Sequence, residues 1–493
     1  MSIGAQTAGT LGGRRAAAGQ DAGAGGLAWG PLLAVIALRT ILLVAFDGRY
    51  GYQRDELYYA LAGHHLQAGY VEFPPVTALL ARASDELWGS WLTGLRILPA
   101  LAGAATMLLA ALIARELGGS RRAQWMAGAL VGFTPLMLST NGLFQPVSFD
   151  QTATMLVLWL ALRICLGKGG WVWLGLAAGV GLETKYTLAF VLVALLAGAL
   201  AWRRNLLRSP GAAGAAAIAA VIVLPNLIWQ AGHHWVSGEF FANPPPSATD
   251  ETRPGFVIDL IINANPLAVP VAVAGWLGLW RRRPLRPLAA AVAVTLLLYL
   301  VLGGKSYYAE PVVLFALAAG APALDRFAAR RRLLPWALAW GAVLLAGLPV
   351  LVPVLPLRKA IDAGVVRDRS DYQDELGWPG LAATVARRSG GAQVVIAANY
   401  GEAGALALYG RDLPPVASPD VSLRFWRPAV AGRTALLVGF DAAEAARFCS
   451  GFSVLARITM PVANQERGQP VARCVLRAGL AGIWPQIVAL SPL

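Results

Sequence analysis

The sequence predicts a polytopic α-helical membrane protein that ends in an extracytoplasmic α/β domain. Mean hydropathy is +0.57, and 57% of the 493 residues are hydrophobic against 14% charged, a balance too apolar for a water-exposed surface. Apolar runs of about 20 residues, enough to cross ~30 Å of hydrocarbon, recur through the first three quarters of the chain. Basic residues gather in alternate connections between these runs, the asymmetry that marks the cytoplasmic side.

Residues 1–26 form an Ala/Gly-rich tail bearing Arg14 and Arg15, predicted to be disordered and cytoplasmic. The run 27–46 is too long for a signal-peptide core and leads into an acidic, aromatic segment, so it reads as a retained span. Further spans are predicted over 92–117, 123–140, 152–166, 171–182, 187–202, 211–229, 266–280, 288–302, 311–327 and 334–355. That makes about eleven, within a core covering 27–357. Arg115, Arg121, Arg122, Lys168, Arg203, Arg204, Arg208, Arg281 to Arg283, Arg286, Arg326 and Arg330 to Arg332 then all fall on the side of the N-terminus. The opposite, outer loops are 47–91, 141–151, 230–265 and 303–310, and they hold nearly all the loop carboxylates.

This topology also accounts for the net charge of +14. A basic soluble protein would suggest nucleic acid. Here much of the excess sits in cytoplasmic loops facing anionic membrane lipid, and no nucleic-acid motif accompanies it.

From residue 358 to 493 the composition becomes soluble-like. Strands are predicted over 394–397, 435–439, 454–459 and 471–476, and helices over 378–388, 401–409 and 442–449. An odd number of spans puts this domain outside, where a disulfide between Cys449 and Cys474 is chemically permitted, with two buried thiols as the alternative. Cys165, inside a span, reads as packing.

Charged groups at the outer membrane boundary are the informative ones, because charge within hydrocarbon is costly. In 53-QRDELYYALAGHHL-66, helical spacing puts Asp55, Tyr58, Tyr59, Ala62 and Leu66 on one face, flanked by Arg54 and Glu56. An amphipathic helix on the outer interface fits this pattern, with tyrosine tips at headgroup level. Asp150 opens the fourth span and could serve as its cap. Glu183 and Lys185 stand at the outer end of a helical hairpin, where the lysine either pairs with the glutamate or binds an anion. Lys305, Tyr307, Tyr308 and Glu310 share another outer loop. Together these place acids, lysines and tyrosines at one membrane level. The set suits group transfer from a lipid phosphate: cations hold the phosphate, a carboxylate takes a proton from an acceptor hydroxyl, and tyrosines stack on sugar.

His64, His65, His233 and His234 show no zinc-ligand spacing and read as hydrogen-bonding or interfacial residues. The turn 399-NYGEAGAL-406 lacks the full G-x-G-x-x-G pattern expected of a nucleotide site.

The run 52-YQRDELYYALAGHHLQAGYVEFPPVTALLAR-82 resembles the first outer loop of bacterial family 39-type glycosyltransferases, relatives of protein O-mannosyltransferases and of the lipid A aminoarabinose transferase. The blocks 144-FQPVSFDQ-151, 181-GLETKYT-187, 225-PNLIWQ-230, 303-GGKSYYAEPVV-313 and 398-ANYGEAGALALYG-410 follow in family order. The resemblance implies a C-type glycosyltransferase fold in the bacterial plasma membrane. It also implies a polyprenyl-phosphate-linked sugar donor and an acceptor that is a lipid, a glycan or a protein. By motif, Asp55 becomes the general base of an inverting displacement and Asp150 the second acid. Arg54, Glu56, Tyr58, Tyr59, Lys185, Lys305, Tyr307 and Tyr308 are expected on the donor side. Dependence on a divalent metal, Mg2+ or Mn2+, varies between relatives, and no metal ligand is assigned. The competing reading is a transporter or lipid flippase, which would carry polar groups or broken helices at midplane. Arg39, Arg96 and Arg163, in or near spans, have no partner legible in the sequence.

Overall fold

A computed structural model describes residues 26–243, 252–331 and 333–491. The tail bearing Arg14 and Arg15 lies outside them. Among the described residues seven helices are long and apolar enough to cross a membrane: Trp29–Phe46, Leu92–Glu116, Pro146–Cys165, Pro210–Gly232, Arg283–Leu302, Ser306–Ala328 and Leu334–Leu351. An eighth crossing is formed if Arg253–Ala264 and Val269–Arg281, bent by 97°, count as one. The chain is a multi-pass membrane protein.

By length and composition this is fewer than the expected eleven spans. Trp171–Leu182 and Leu188–Trp202 are apolar but short, 12 and 15 residues, which at 1.5 Å per residue reach only about 18 and 22 Å. The run expected as 123–140 is two helices, Arg121–Gly132 and Pro135–Thr140. Pro135 has no N–H to continue the first, and the Thr134 hydroxyl accepts from the Met137 N–H to cap the second. The connection 230–265 is itself partly helical, with Val236–Ala242 and Arg253–Ala264 within it.

The intramembrane arginines find partners at such breaks. Arg39 is fully buried and donates to the carbonyls of Gly132 (3.0 Å), Met137 (2.8 Å) and Ala100 (3.4 Å) and to Asn141 Oδ1 (2.5 Å). It thereby satisfies carbonyls that the broken helix leaves open. Arg163 and Lys168 both reach Glu116, at 2.9 and 2.5 Å.

Helix Leu334–Leu351 buries only Leu344 and exposes Leu334, Leu338 and Leu345 by 63–72%, a surface suited to lipid and not to water. Inside the bundle, helices Val269–Arg281 and Ser306–Ala328 touch backbone to backbone. A Cβ on Gly275 or Gly320 would lie 2.0 Å from a carbonyl oxygen of the other helix, so small residues set their separation.

The C-terminal segment holds a five-stranded sheet: β1 Val394–Ala397, β2 Val416–Ala417, β3 Thr434–Val438, β4 Cys449–Arg457 and β5 Pro470–Leu476. Their order is β2-β1-β3-β5-β4. β1 runs parallel to β2 and β3, while β5 is antiparallel to β3 and β4. Every residue of β1 is buried, as expected for a short central strand covered on both faces. Cys449 and Cys474 are joined in a disulfide. Directly after β1, helix Tyr400–Tyr409 packs on helix Arg54–Gly63 of the first outer loop.

Candidate active site

The tyrosine face of the polar segment 53–66 is covered by protein. The segment forms the helix Arg54–Gly63, with Tyr58, Tyr59 and Ala62 buried rather than presented to headgroups. Two groups fix its start. Gln53 Oε1 accepts from the Asp55 N–H, and Glu56 Oε2 accepts from the Gln53 N–H, forming a capping box. Glu56 then spends the rest of its capacity inward. It accepts from Arg96 Nε and Nη2 at 2.8 and 2.6 Å and from the Phe144 N–H at 2.7 Å. Arg96 also donates to the carbonyls of Asp47 and Gly51 and lies 3.5 Å from Glu375. Every Glu56 lone pair that can accept is directed at protein, and Glu56 is not among the residues that line the cavity of Asp55.

Asp55, one residue earlier, faces the other way. It lines a cavity of about 580 Å³ together with Tyr59, Glu72, Lys185, Tyr307 and Tyr308. Phe190, Phe240, Phe241 and Leu302 supply apolar wall. Asp55 Oδ1 accepts a 2.7 Å hydrogen bond from the Tyr400 hydroxyl. Burial raises the Asp55 pKa above the ordinary aspartate value, and the Tyr400 bond and the Arg54 charge oppose that rise.

Lys185 sits in the turn between helices Trp171–Leu182 and Leu188–Trp202. Its ammonium lies 4.5 Å from the Tyr308 ring centroid and 5.1 Å from that of Tyr307. Among the described residues it forms no ion pair. The Glu183 carboxylate accepts instead from Asn226 Nδ2, so the pairing of Lys185 with Glu183 is not made. Burial pushes the Lys185 pKa down to about 8; the Asp150 charge opposes this and the Lys305 charge adds to it. Lys305 does not line the cavity but is near enough to bear on Lys185.

Three further expected residues stand off the cavity. Asp150 is the fifth residue of helix Pro146–Cys165, not its cap, and is buried. Its Oδ2 accepts from the Thr187 hydroxyl at 2.9 Å, and Thr187 lines the cavity. Asp150 therefore braces the wall. Arg54 lies over the Tyr400 ring at 4.5 Å and 3.9 Å from Glu466. The Tyr58 hydroxyl accepts from the Ser422 N–H and bonds to Glu72.

Glu72 is the cavity acid that sequence reasoning did not single out. Burial raises its pKa to about 8, against hydrogen bonds from Tyr58 and Ser422. Of the histidines, His65 stacks on Trp426 at 4.6 Å, His233 on Trp229 at 3.9 Å, and His64 approaches Asp85 at 3.6 Å. Among the described residues no group of three or more His, Cys, Asp or Glu side chains is arranged to hold a metal ion.

Comparison with known proteins adds to this geometry. Residues 72–229 match the family model described as dolichyl-phosphate-mannose-protein mannosyltransferase. An undecaprenyl phosphate-alpha-4-amino-4-deoxy-L-arabinose arabinosyl transferase of Pseudomonas aeruginosa is 30% identical over 178 residues, 35% of this chain and 32% of the relative. The lipid A galacturonosyltransferase RgtD of Rhizobium johnstonii is 30% identical over 192 residues, 36% of this chain and 38% of the relative. The matched part thus spans about a third of these relatives' length. The crystal structure of ArnT from Cupriavidus metallidurans bound to undecaprenyl phosphate superposes over 92% of this chain and 99% of that one. The TM-score is 0.61 at 15% identity.

The chain has the C-type glycosyltransferase fold. Within this C-type fold the matched residues 72–229 contribute Glu72, Lys185 and Thr187 to the cavity. Asp55, Tyr307 and Tyr308 come from segments on either side of the match.

Proposed function

We propose that this protein transfers a sugar from a polyprenyl-phosphate-linked donor to an acceptor hydroxyl on the extracytoplasmic face of the membrane. One observation carries the proposal: a buried carboxylate, Asp55, and a lysine that forms no ion pair among the described residues, Lys185, line the same apolar-walled cavity. The relative named above as an undecaprenyl phosphate-alpha-4-amino-4-deoxy-L-arabinose arabinosyl transferase supports the donor class.

In the proposed reaction the acceptor oxygen attacks the anomeric carbon while Asp55 takes its proton. The bond from that carbon to the phosphate oxygen breaks on the opposite face, so the configuration inverts. The electron pair leaves with the polyprenyl phosphate, whose charge Lys185 neutralises with help from Lys305. Phosphate is a good leaving group, and no protein acid is needed to protonate it. Tyr59, Tyr307 and Tyr308 offer ring faces and hydroxyls to the sugar. Asp150, through Thr187, holds the wall that carries Lys185.

The positive charges of the alternate connections support a cytoplasmic N-terminus, and the Cys449–Cys474 disulfide supports an extracytoplasmic C-terminal domain. A transporter would use polar groups at midplane to bind its cargo. Arg39 is instead consumed by backbone carbonyls and Asn141.

The test is to incubate the purified full-length protein in nanodiscs with a panel of undecaprenyl-phosphate-linked sugars and cell-envelope acceptor extract. Release of undecaprenyl phosphate and labelling of an acceptor are expected with one donor class, and both are expected to collapse in Asp55→Asn. Equal transfer by Asp55→Asn would remove Asp55 from the chemistry.

A further inference from the structure

A side chain of the C-terminal domain, Tyr400, reaches the Asp55 carboxylate. We propose that Tyr400 is a positioning residue for Asp55, and that Gly401 and Gly404 set the distance at which it acts. The inference deepens the reading of Asp55 as base and rests on it.

The geometry is specific. Tyr400 is the first residue of helix Tyr400–Tyr409, which begins directly after the fully buried β1. Asn399 Oδ1 accepts from the Glu402 N–H at 2.9 Å, and the Tyr400 N–H donates to Asp420 Oδ2 at 3.0 Å. The backbone that carries the ring is thus pinned from two sides. The ring is held by the Arg54 guanidinium at 4.5 Å and the Tyr58 ring at 5.3 Å. From there its hydroxyl donates to Asp55 Oδ1 at 2.7 Å.

Two glycines permit this approach. A Cβ on Gly401 would stand 2.6 Å from Arg54 Cγ, and one on Gly404 would stand 2.8 Å from Leu57 Cβ and from the Leu57 carbonyl carbon. No larger residue lets the two helices lie at this separation. The block 398-ANYGEAGALALYG-410 therefore has a physical purpose: a capped helix start, a tyrosine, and a small-residue face.

The terminal torsion of an aspartate is broad, so a carboxylate in a cavity needs a partner to fix its plane. With Oδ1 engaged by Tyr400, Oδ2 is the oxygen left to take the acceptor proton. A hydrogen bond to the ionised carboxylate also favours the basic form against burial. The other charged and titratable groups bearing on Asp55 are Arg54 and Glu56 on its own helix, Asp371 and Asp374 from the segment before β1, and Tyr59 and Tyr307 in the cavity, which Glu72 and Lys185 also line. Arg54 works with Tyr400; the acids work against it.

The experiment reads the protonation of Asp55 without any sugar donor. Full-length protein in nanodiscs is treated with a hydrophobic carbodiimide, which couples to protonated buried carboxyls, across a pH series. Labelling of the Asp55 peptide is then quantified by mass spectrometry. Tyr400→Phe is expected to move half-maximal labelling up by about one pH unit, the worth of a hydrogen bond to a charged group. Gly404→Ala, which keeps the hydroxyl but forces the helices apart, is expected to move it in the same direction. Retained binding of undecaprenyl phosphate by each variant checks the fold. An unmoved profile in a folded Tyr400→Phe overturns the inference while leaving the transfer reading intact. Normal transfer by Asp55→Asn overturns both.

Discussion

Asp55 and Glu56 are adjacent carboxylates on one helix, and they occupy opposite environments. Glu56 accepts from two Arg96 nitrogens and two backbone N–H groups and reaches no cavity. Asp55 accepts from one tyrosine and faces an open, apolar-walled space. The helix thus separates its work by face: one side ties the segment to the bundle through Arg96, and the other presents the carboxylate proposed as base. The contrast shows why proximity in sequence is a poor guide to role. A buried carboxylate whose lone pairs are all taken holds structure, whereas one with spare capacity beside a cavity is available for chemistry.

The largest expected effect falls on the structural face. Arg96→Leu leaves Glu56 and Glu375 buried without their cation, a loss of about 3–5 kcal/mol. The variant is expected to lose most of its folded yield, read by fluorescence-detected size exclusion. A normal yield would mean that the Arg96 network is dispensable and that the division between faces is overstated.

On the cavity face the effect should be functional and smaller. Lys185→Ala is expected to weaken undecaprenyl phosphate binding about 10- to 100-fold, the worth of a charge-assisted hydrogen bond, with the melting temperature nearly unchanged. The same lysine predicts a pH dependence. Its pKa is pushed down to about 8, so its charge is present below that pH and lost above it. Binding should weaken as pH rises past about 8. Lys185→Arg, which stays charged, should abolish that decline, and a titration of binding against pH decides the point.

The smallest effect concerns the support of the Tyr400 helix. Glu402 is buried, its Oε2 accepts from the Ala398 N–H at 3.0 Å, and burial raises its pKa to about 8. Between about 4.5, the unfolded value, and about 8 the folded state keeps a proton that the unfolded state has released. Glu402 therefore makes stability fall as pH rises through that window, and its effect is absent below it. Glu402→Gln should flatten the melting temperature against pH over that range; an unchanged slope would show that Glu402 is ionised in the fold.

Much of this was legible in the sequence. Asp55, Lys185, Tyr307 and Tyr308 stood out because polar residues beside long apolar runs need a reason. In the C-terminal domain the expected 378–388 and 394–397 match the observed Trp378–Arg388 and Val394–Ala397, whereas the helix expected over 442–449 ends at Ala445 and Cys449 opens β4. What could not be read were partnerships between distant segments. Tyr400 meets Asp55 across 345 positions, and Glu72 meets Ser422 across 350. Arg39 looked unexplained because its acceptors are mainly carbonyls of Gly132 and Met137, exposed by a helix break that apolar composition hides. The burial of the tyrosines of 53–66 was hidden for a related reason. The tyrosine face of that segment is covered by the C-terminal domain and the neighbouring loop, not by headgroups.

The most direct test measures transfer rate and melting temperature together for two variants, Asp55→Asn and Glu56→Gln, in the same nanodiscs. The division by face predicts that Asp55→Asn loses transfer by about 100- to 10,000-fold at near-native melting temperature. It predicts that Glu56→Gln lowers the melting temperature, with transfer falling only as folded protein is lost. The reverse pattern, a stable but inactive Glu56→Gln beside an active Asp55→Asn, would contradict it.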